Sequence, residues 1–257
     1  MTDIRHPHID RALAAVRAER DILEAERDAF ETLLRRVSAI QVDARASTAV
    51  QSGAVTAASI ARPTEVARGL GEVRDAYRET VMEVPHYEIE YDESLRANLA
   101  AEFGEPLASR IVDGTVLTRQ VYDAVTDACR QARDERKRAL QYVERERDRL
   151  VAFEADLTAI ERDVVEAGAA IESASGTRQL SRIDDTLATL QSRCLGLANE
   201  RQTQLRESDQ IHVLGSDGFG FYEYLYADLE TPAPVLSDAG ACLKTIQGHR
   251  MRGLRAE

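Results

Sequence analysis

Apolar residues return every seventh position at the start of the chain, at Ile9, Val16, Leu23, Phe30 and Val37. Leu13 and Leu34 lie four residues beyond members of that series, and Arg20 and Arg27 fill the same second phase between them. A heptad-spaced apolar series marks a helix packed along a seam, so an amphipathic helix is predicted over 1–40. Arginines at seam positions can lead their charged ends out to water, which favours a loose bundle over a tight zipper. The pattern lapses over 41–63, a small, polar, Ser/Thr-containing stretch that reads as a linker. Pro63 and Thr64 then open a helix whose stripe is Val66, Leu70, Val73, Tyr77 and Val81, and Pro85 closes it. Leu95, Leu99 and Phe103 predict a short helix stopped by Gly104; Leu107 and Ile111 predict another before Gly114. Residues 64–117 are therefore the first part of a helical head.

From Thr118 the threes-and-fours rhythm runs without proline or glycine to Gly168. Val125, Cys129, Ala132, Arg136, Ala139, Val143, Glu146 and Leu150 keep step in its first half, Phe153, Leu157, Ile160 and Val164 in its second. At 1.5 Å per residue a helix over 118–172 is about 80 Å long. "SASGTR" (173–178) breaks the pattern, which resumes at Leu180, Ile183, Leu187, Leu190, Cys194, Leu197, Leu205 and Ile211. So short a connection forces the two helices antiparallel, and 118–213 is predicted to be an antiparallel coiled-coil hairpin. The fold class is all-α.

The chain has eight tyrosines, five phenylalanines and no tryptophan. Tyr77, Tyr87 and Tyr91 form one group, and Phe219, Phe221, Tyr222, Tyr224 and Tyr226 another. Large rings supply the most burial per residue, so the two groups are expected to pack on each other. That makes 214–257 the aromatic-rich second part of the head.

Charge narrows the setting. The formal net charge is −12, and the lysines are Lys137 and Lys244, so arginine carries nearly all the positive charge. An acidic, lysine-poor surface suits a salt-rich cytoplasm, where nucleic-acid binding by counterion release is suppressed. "AVQSGAVTAASIA" (49–61) is too short and polar to span a bilayer, and "MTDIRHPHIDRALAAVRAER" lacks a leader pattern; a cytoplasmic protein without membrane partners is expected. Cys129, Cys194 and Cys242 have neither metal nor redox spacing and read as small apolar residues in a reducing compartment.

The candidate chemistry centres on "MEVPHYEIEYDES" (82–94). Glu83 and His86 have the ExxH spacing that places two metal ligands on one helical face in di-iron bundles, and Asp209 with His212 offers an imperfect second copy. Pro85 stands inside the first motif and unwinds the turn that the spacing depends on. Read as extended chain, 86–90 puts His86, Glu88 and Glu90 on one face and Tyr87, Ile89 and Tyr91 on the other, which is equally the pattern of a half-buried segment. His6 and His8 flank Pro7 at a helix entry. "GSDGFG" (215–220) follows a helix, whereas a phosphate loop follows a strand, so it reads as a helix end and bend.

The words "ERDAFE" (26–31), "VRDAYRETVMEVPHYEIEY" (73–91), "LTRQVYDAVTDACRQARDER" (117–136) and "YEYLYADLETPAPVL" (222–236) together resemble an uncharacterised family of helical proteins from haloarchaea. The resemblance implies a halophilic, cytoplasmic, helical protein and supplies no catalytic residues. The expected role is a non-enzymatic scaffold or interaction protein. Its partner would be a protein or, through the coiled-coil surfaces, a second copy of the chain as a homodimer, with no cofactor. The alternative is a metal-dependent helical-bundle enzyme using Glu83, His86, Asp209 and His212.

Overall fold

The computed structural model describes residues 5–42, 68–208 and 220–255. Every regular element among them is helical. In chain order these are α1 (Pro7–Ser38), α2 (Arg68–Arg78), a 3-10 turn (Val81–Glu83), α3 (Tyr87–Glu90), α4 (Leu95–Phe103), α5 (Glu105–Asp113), α6 (Arg119–Glu172), α7 (Thr177–Ser208), α8 (Phe221–Leu225) and α9 (Pro234–Arg255). The chain divides into two compact units, one of residues 1–20 with 141–257 and one of residues 21–140, and α1 and α6 each contribute a stretch to both. The linker expected at 41–63, all but its first two residues, and the motif residues Asp209 and His212 lie outside the described residues. So does "GSDGFG", except for Gly220.

In the unit of residues 21–140 the core gathers Phe30, Leu33 and Val37 from α1, Val73 and Tyr77 from α2, Leu99 from α4, Ile111 from α5, and Val125 and Cys129 from α6. Burying each large side chain contributes about 1.5–3 kcal/mol. The short helices are set by their caps. Ser94 accepts the Ala97 amide at the start of α4, and Gly104, at φ 80°, lets the chain leave α4 and enter α5 directly in a backbone region costly for other residues. The α2 helix ends at Arg78, earlier than Pro85 alone predicts. Thr80 turns its hydroxyl back to the Ala76 carbonyl at 2.6 Å, and the chain tightens into the 3-10 turn.

In the unit containing 141–257, α6 and α7 form the antiparallel hairpin, turning at 173–176. Glu146 pairs with Arg201, and Asp163 with Arg193 at 3.4 Å, so partners approach in sequence as the turn nears. Helix α9 opens on Pro234, whose missing amide hydrogen is one of the orphans of a first turn anyway. It packs on α7 through Val235, Ala239, Cys242 and Ile246, all buried. Gly168 marks a close approach: a Cβ there would lie 2.1 Å from the His249 ring.

The α1 seam is shifted from the expected one. Ile9, Val16, Leu23, Phe30 and Val37 are all buried as predicted, but the second phase is Ala12, Glu26 and Leu33, one residue earlier than Leu13 and Leu34. A carboxylate therefore occupies a core position.

Candidate functional site

The segment 82–94 folds against that carboxylate. Pro85 separates the 3-10 turn from α3, so Glu83 is exposed and shares no helical face with His86. The extended alternative is overturned as well, because Tyr87–Glu90 is a helical turn. Instead of pairing with Glu83, His86 directs Nε2 at Glu26 Oε1, 3.2 Å away, so the carboxylate selects the tautomer with its proton on Nε2. Tyr91 donates its hydroxyl to the same oxygen at 2.7 Å.

The other oxygen of Glu26 accepts from Arg136 Nε at 3.0 Å. Arg136 turns its remaining fork to Glu102, with bonds of 2.9 and 2.6 Å, and lies over the Phe30 ring at 4.9 Å. One guanidinium thus serves two carboxylates. Burial pushes the Glu26 carboxyl up, but the Arg136 charge and the bonds from Tyr91, Arg136 and His86 outweigh it and hold Glu26 below the ordinary range. Glu102 shares Arg136 but lacks the Tyr91 and His86 donors. Burial dominates there, Glu26 and Glu135 add repulsion, and its carboxyl sits higher than usual. Burial and then the Glu26 charge raise the Tyr91 phenol. The space left among Glu26, Glu102, Arg136, Tyr87 and Tyr91 is about 10 Å³, room for a water and no more.

A second network of the same kind lies in the hairpin unit. Arg201 is fully buried and meets Glu146 through two bonds, 3.1 and 2.7 Å. Tyr226 donates a short hydrogen bond to Glu146. Arg201 stacks over the Tyr222 ring at 4.8 Å, and Tyr222 in turn accepts from Arg149 at 3.0 Å. Burial alone would lower the Arg201 guanidinium; the bonds and charge of Glu146 more than compensate and keep it firmly protonated. The Tyr226 phenol is driven up by burial and by the Glu146 charge.

The two aromatic groups expected to form one head therefore belong to different units. Tyr77 packs edge-on to Phe103 and Tyr87 against Tyr91 in one, while in the other Tyr222 stacks on Tyr226 and Phe221 tilts against Tyr222. His6, read from sequence as a helix-entry residue, is buried and hydrogen-bonded to Thr158 at 3.1 Å. Among the described residues no group of three or more His, Cys, Asp or Glu side chains is arranged to hold a metal ion.

Sequence reasoning missed Glu26 and Arg201 as buried groups. The signal was present: Arg201 falls seven residues after Cys194 in the series Leu180, Leu187, Cys194, and Glu26 lies three residues after Leu23. Chemically, both networks are buried or half-buried ion clusters that join helices, and in the second Arg201 Nε has no hydrogen-bond partner. The first reaches solvent through Tyr91, which is 40% exposed, and the second through the half-buried Arg149.

No helix among the described residues is long and apolar enough to cross a membrane. No curated protein and no solved structure matches the chain. A family model matches residues 7–250, nearly the whole length. The chain belongs to the family described as a domain of unknown function, DUF7260.

Proposed function

We propose that this protein is a non-enzymatic helical scaffold of a halophilic archaeal cytoplasm that associates through the flank of its hairpin, with a second copy of the chain as partner. The observation that carries this reading is the exposure of Val165 on α6 and Leu195 on α7, 49% and 45%, with Val151 equally open at 49%. Val151 and Val165 lie on one face of α6, two heptads apart, and we read that face together with Leu195 as a surface that a second copy covers. On a different face from these residues, α6 and α7 leave a groove of about 530 Å³ floored by Ala167, Ala170, Ile183 and Leu190 and rimmed by Asp163, Glu166 and Arg193. Small residues let a helix approach closely, and a rim carrying both charges suits a self-complementary, twofold contact of coiled-coil type. With a net charge of −12 on each copy, association is expected to need salt to screen repulsion.

Sedimentation in molar potassium chloride tests this. The expected result is reversible dimerisation that Val165→Glu combined with Leu195→Glu abolishes without loss of helicity; a strictly monomeric wild type would refute it. Metal analysis of the same preparation separates the alternative, since stoichiometric iron or zinc would favour a metal-dependent enzyme.

A further inference from the structure

Leu13, Val16, Arg17 and Arg20 fall at helical spacing on one face of α1, and Val143, Arg147 and Val151 do the same on α6. Leu13 and Arg20 are seam positions in the heptad pattern, but the core phase lies one residue earlier and they turn to a cavity instead. Between these two faces α1 and α6 leave about 140 Å³, within the unit of residues 1–20 and 141–257. Buried Val16 and Val143 and half-buried Leu13 line its inner part, and exposed Val151 its mouth.

The rest of the lining is charged. Arg17 and Arg147 are exposed and Arg20 is half-buried, and Glu144 is the one acid among the lining residues. Three guanidiniums against one carboxylate reverse the local sign of charge on a chain whose net charge is −12. Arg147 also holds the exposed Asp148 at 2.7 Å, a surface pair too weak to withhold it from a ligand.

We propose that this cavity binds a small apolar monocarboxylate, with a ring or branched body on Leu13, Val16 and Val143 and the carboxylate on the arginines. Ligand sites are mostly apolar with a few polar groups that fix orientation, and the space between helices of a bundle is one of their usual places. A dry cavity of about 150 Å³ holds a benzene ring, so the volume suits a body of about six carbons. Guanidinium offers the paired donors that match a carboxylate, which an ammonium does not. Glu144 repels a second acidic group, which favours a monoacid over a diacid. In molar salt, attraction is screened beyond about 3 Å, so direct bonds and apolar burial carry the affinity. Chloride, which has no apolar body, competes only for the arginines.

A methyl-resolved NMR titration of the full-length protein with benzoate, in molar potassium chloride, tests this. Dilute protein keeps association through the hairpin, which would also reach Val151, out of the measurement. The expected result is saturable shifts at the methyls of Leu13, Val16, Val143 and Val151, in the millimolar range, with Val165 and Leu195 unmoved. Benzyl alcohol keeps the ring without the charge, and acetate the charge without the ring; each should bind about tenfold more weakly than benzoate. Arg17→Gln combined with Arg147→Gln alters two exposed side chains and should leave the fold intact. It should weaken benzoate about tenfold and leave benzyl alcohol unchanged. The proposal is overturned if the benzoate shifts do not saturate or centre on other residues. It is equally overturned if either control binds as tightly as benzoate, or if the double variant binds benzoate as tightly as wild type.

Discussion

Replacing Glu146 with leucine strands a charge. Arg201 is 0% exposed and Glu146 1%, so the guanidinium would keep its charge with no counterion and no water. Breaking a buried ion pair from one side costs about 3–5 kcal/mol. The Tyr226 hydroxyl loses its acceptor in the same step, a loss of about 1–3 kcal/mol taken alone. The groups act as one network, so the two figures do not simply add, and the expectation is the upper part of the first range. Against a typical domain stability of about 5–15 kcal/mol that is a large fraction.

The decisive comparison is the triple variant Glu146→Leu, Arg201→Met, Tyr226→Phe. It removes the ion pair and the hydroxyl that donates to it, leaves Tyr222 and Arg149 in place, and refills the space with apolar groups. Such replacements are often neutral or stabilising, so most of the lost stability should return, to within about 2 kcal/mol of wild type. Urea unfolding followed by far-ultraviolet circular dichroism reads both changes. Because the pair is enclosed, the penalty of the single variant should be nearly the same at low and at molar salt. A single-variant cost under about 1 kcal/mol, or a triple variant no more stable than the single, would show that the pair is hydrated and the reasoning wrong.

Other consequences follow from the same packing. Gly168→Ala puts a methyl 2.1 Å from the His249 ring, but that ring is the far end of a half-buried side chain and can swing aside, and replacing a mid-helix glycine gains about 1 kcal/mol, so the variant should be near neutral in urea unfolding; a loss above about 2 kcal/mol would show that the ring is held in place. The Glu26 carboxyl lies below its ordinary value of 4.5, so its contribution is fully present above that pH and is lost as pH falls through the lower folded value. The stability gap between wild type and Glu26→Gln, measured by urea unfolding, should therefore narrow below pH 4.5, and a constant gap would be inconsistent with an ionised, stabilised Glu26. Loss of screening over the acidic surface should make helicity fall as salt is lowered from molar to about 0.1 M, where the Debye length is about 10 Å; circular dichroism unchanged over that range would count against a halophilic origin.

Much of the fold is legible because periodicity alone dictates it. The long helix read from Thr118 is α6, the break at 173–178 brackets the hairpin turn, and Gly104 and Gly114 bound the two short helices. The terminal helix α9 is not read from the sequence, where 214–257 is only the aromatic-rich part of the head, because Ala, Gly and Ser dilute its apolar stripe. The site was legible only in part. Arg136 and Glu146 interrupt apolar stripes, which is how a buried ion looks in sequence, yet their partners Glu26, Glu102 and Arg201 come from other helices and no local pattern names them. The ExxH spacing misled for a local reason: Pro85 ends the turn before His86, and tertiary contact with Glu26 decides where the imidazole goes.

Hydroxyl-radical footprinting across a range of protein concentration, in molar salt, tests the scaffold reading most directly, because it reports side-chain exposure at single residues. Leu195 and Val165 should lose reactivity as concentration rises, while Tyr91, 40% exposed and away from the hairpin flank in sequence, should keep its own. Reactivity at Leu195 that stays the same from dilute to concentrated protein would contradict association through the hairpin.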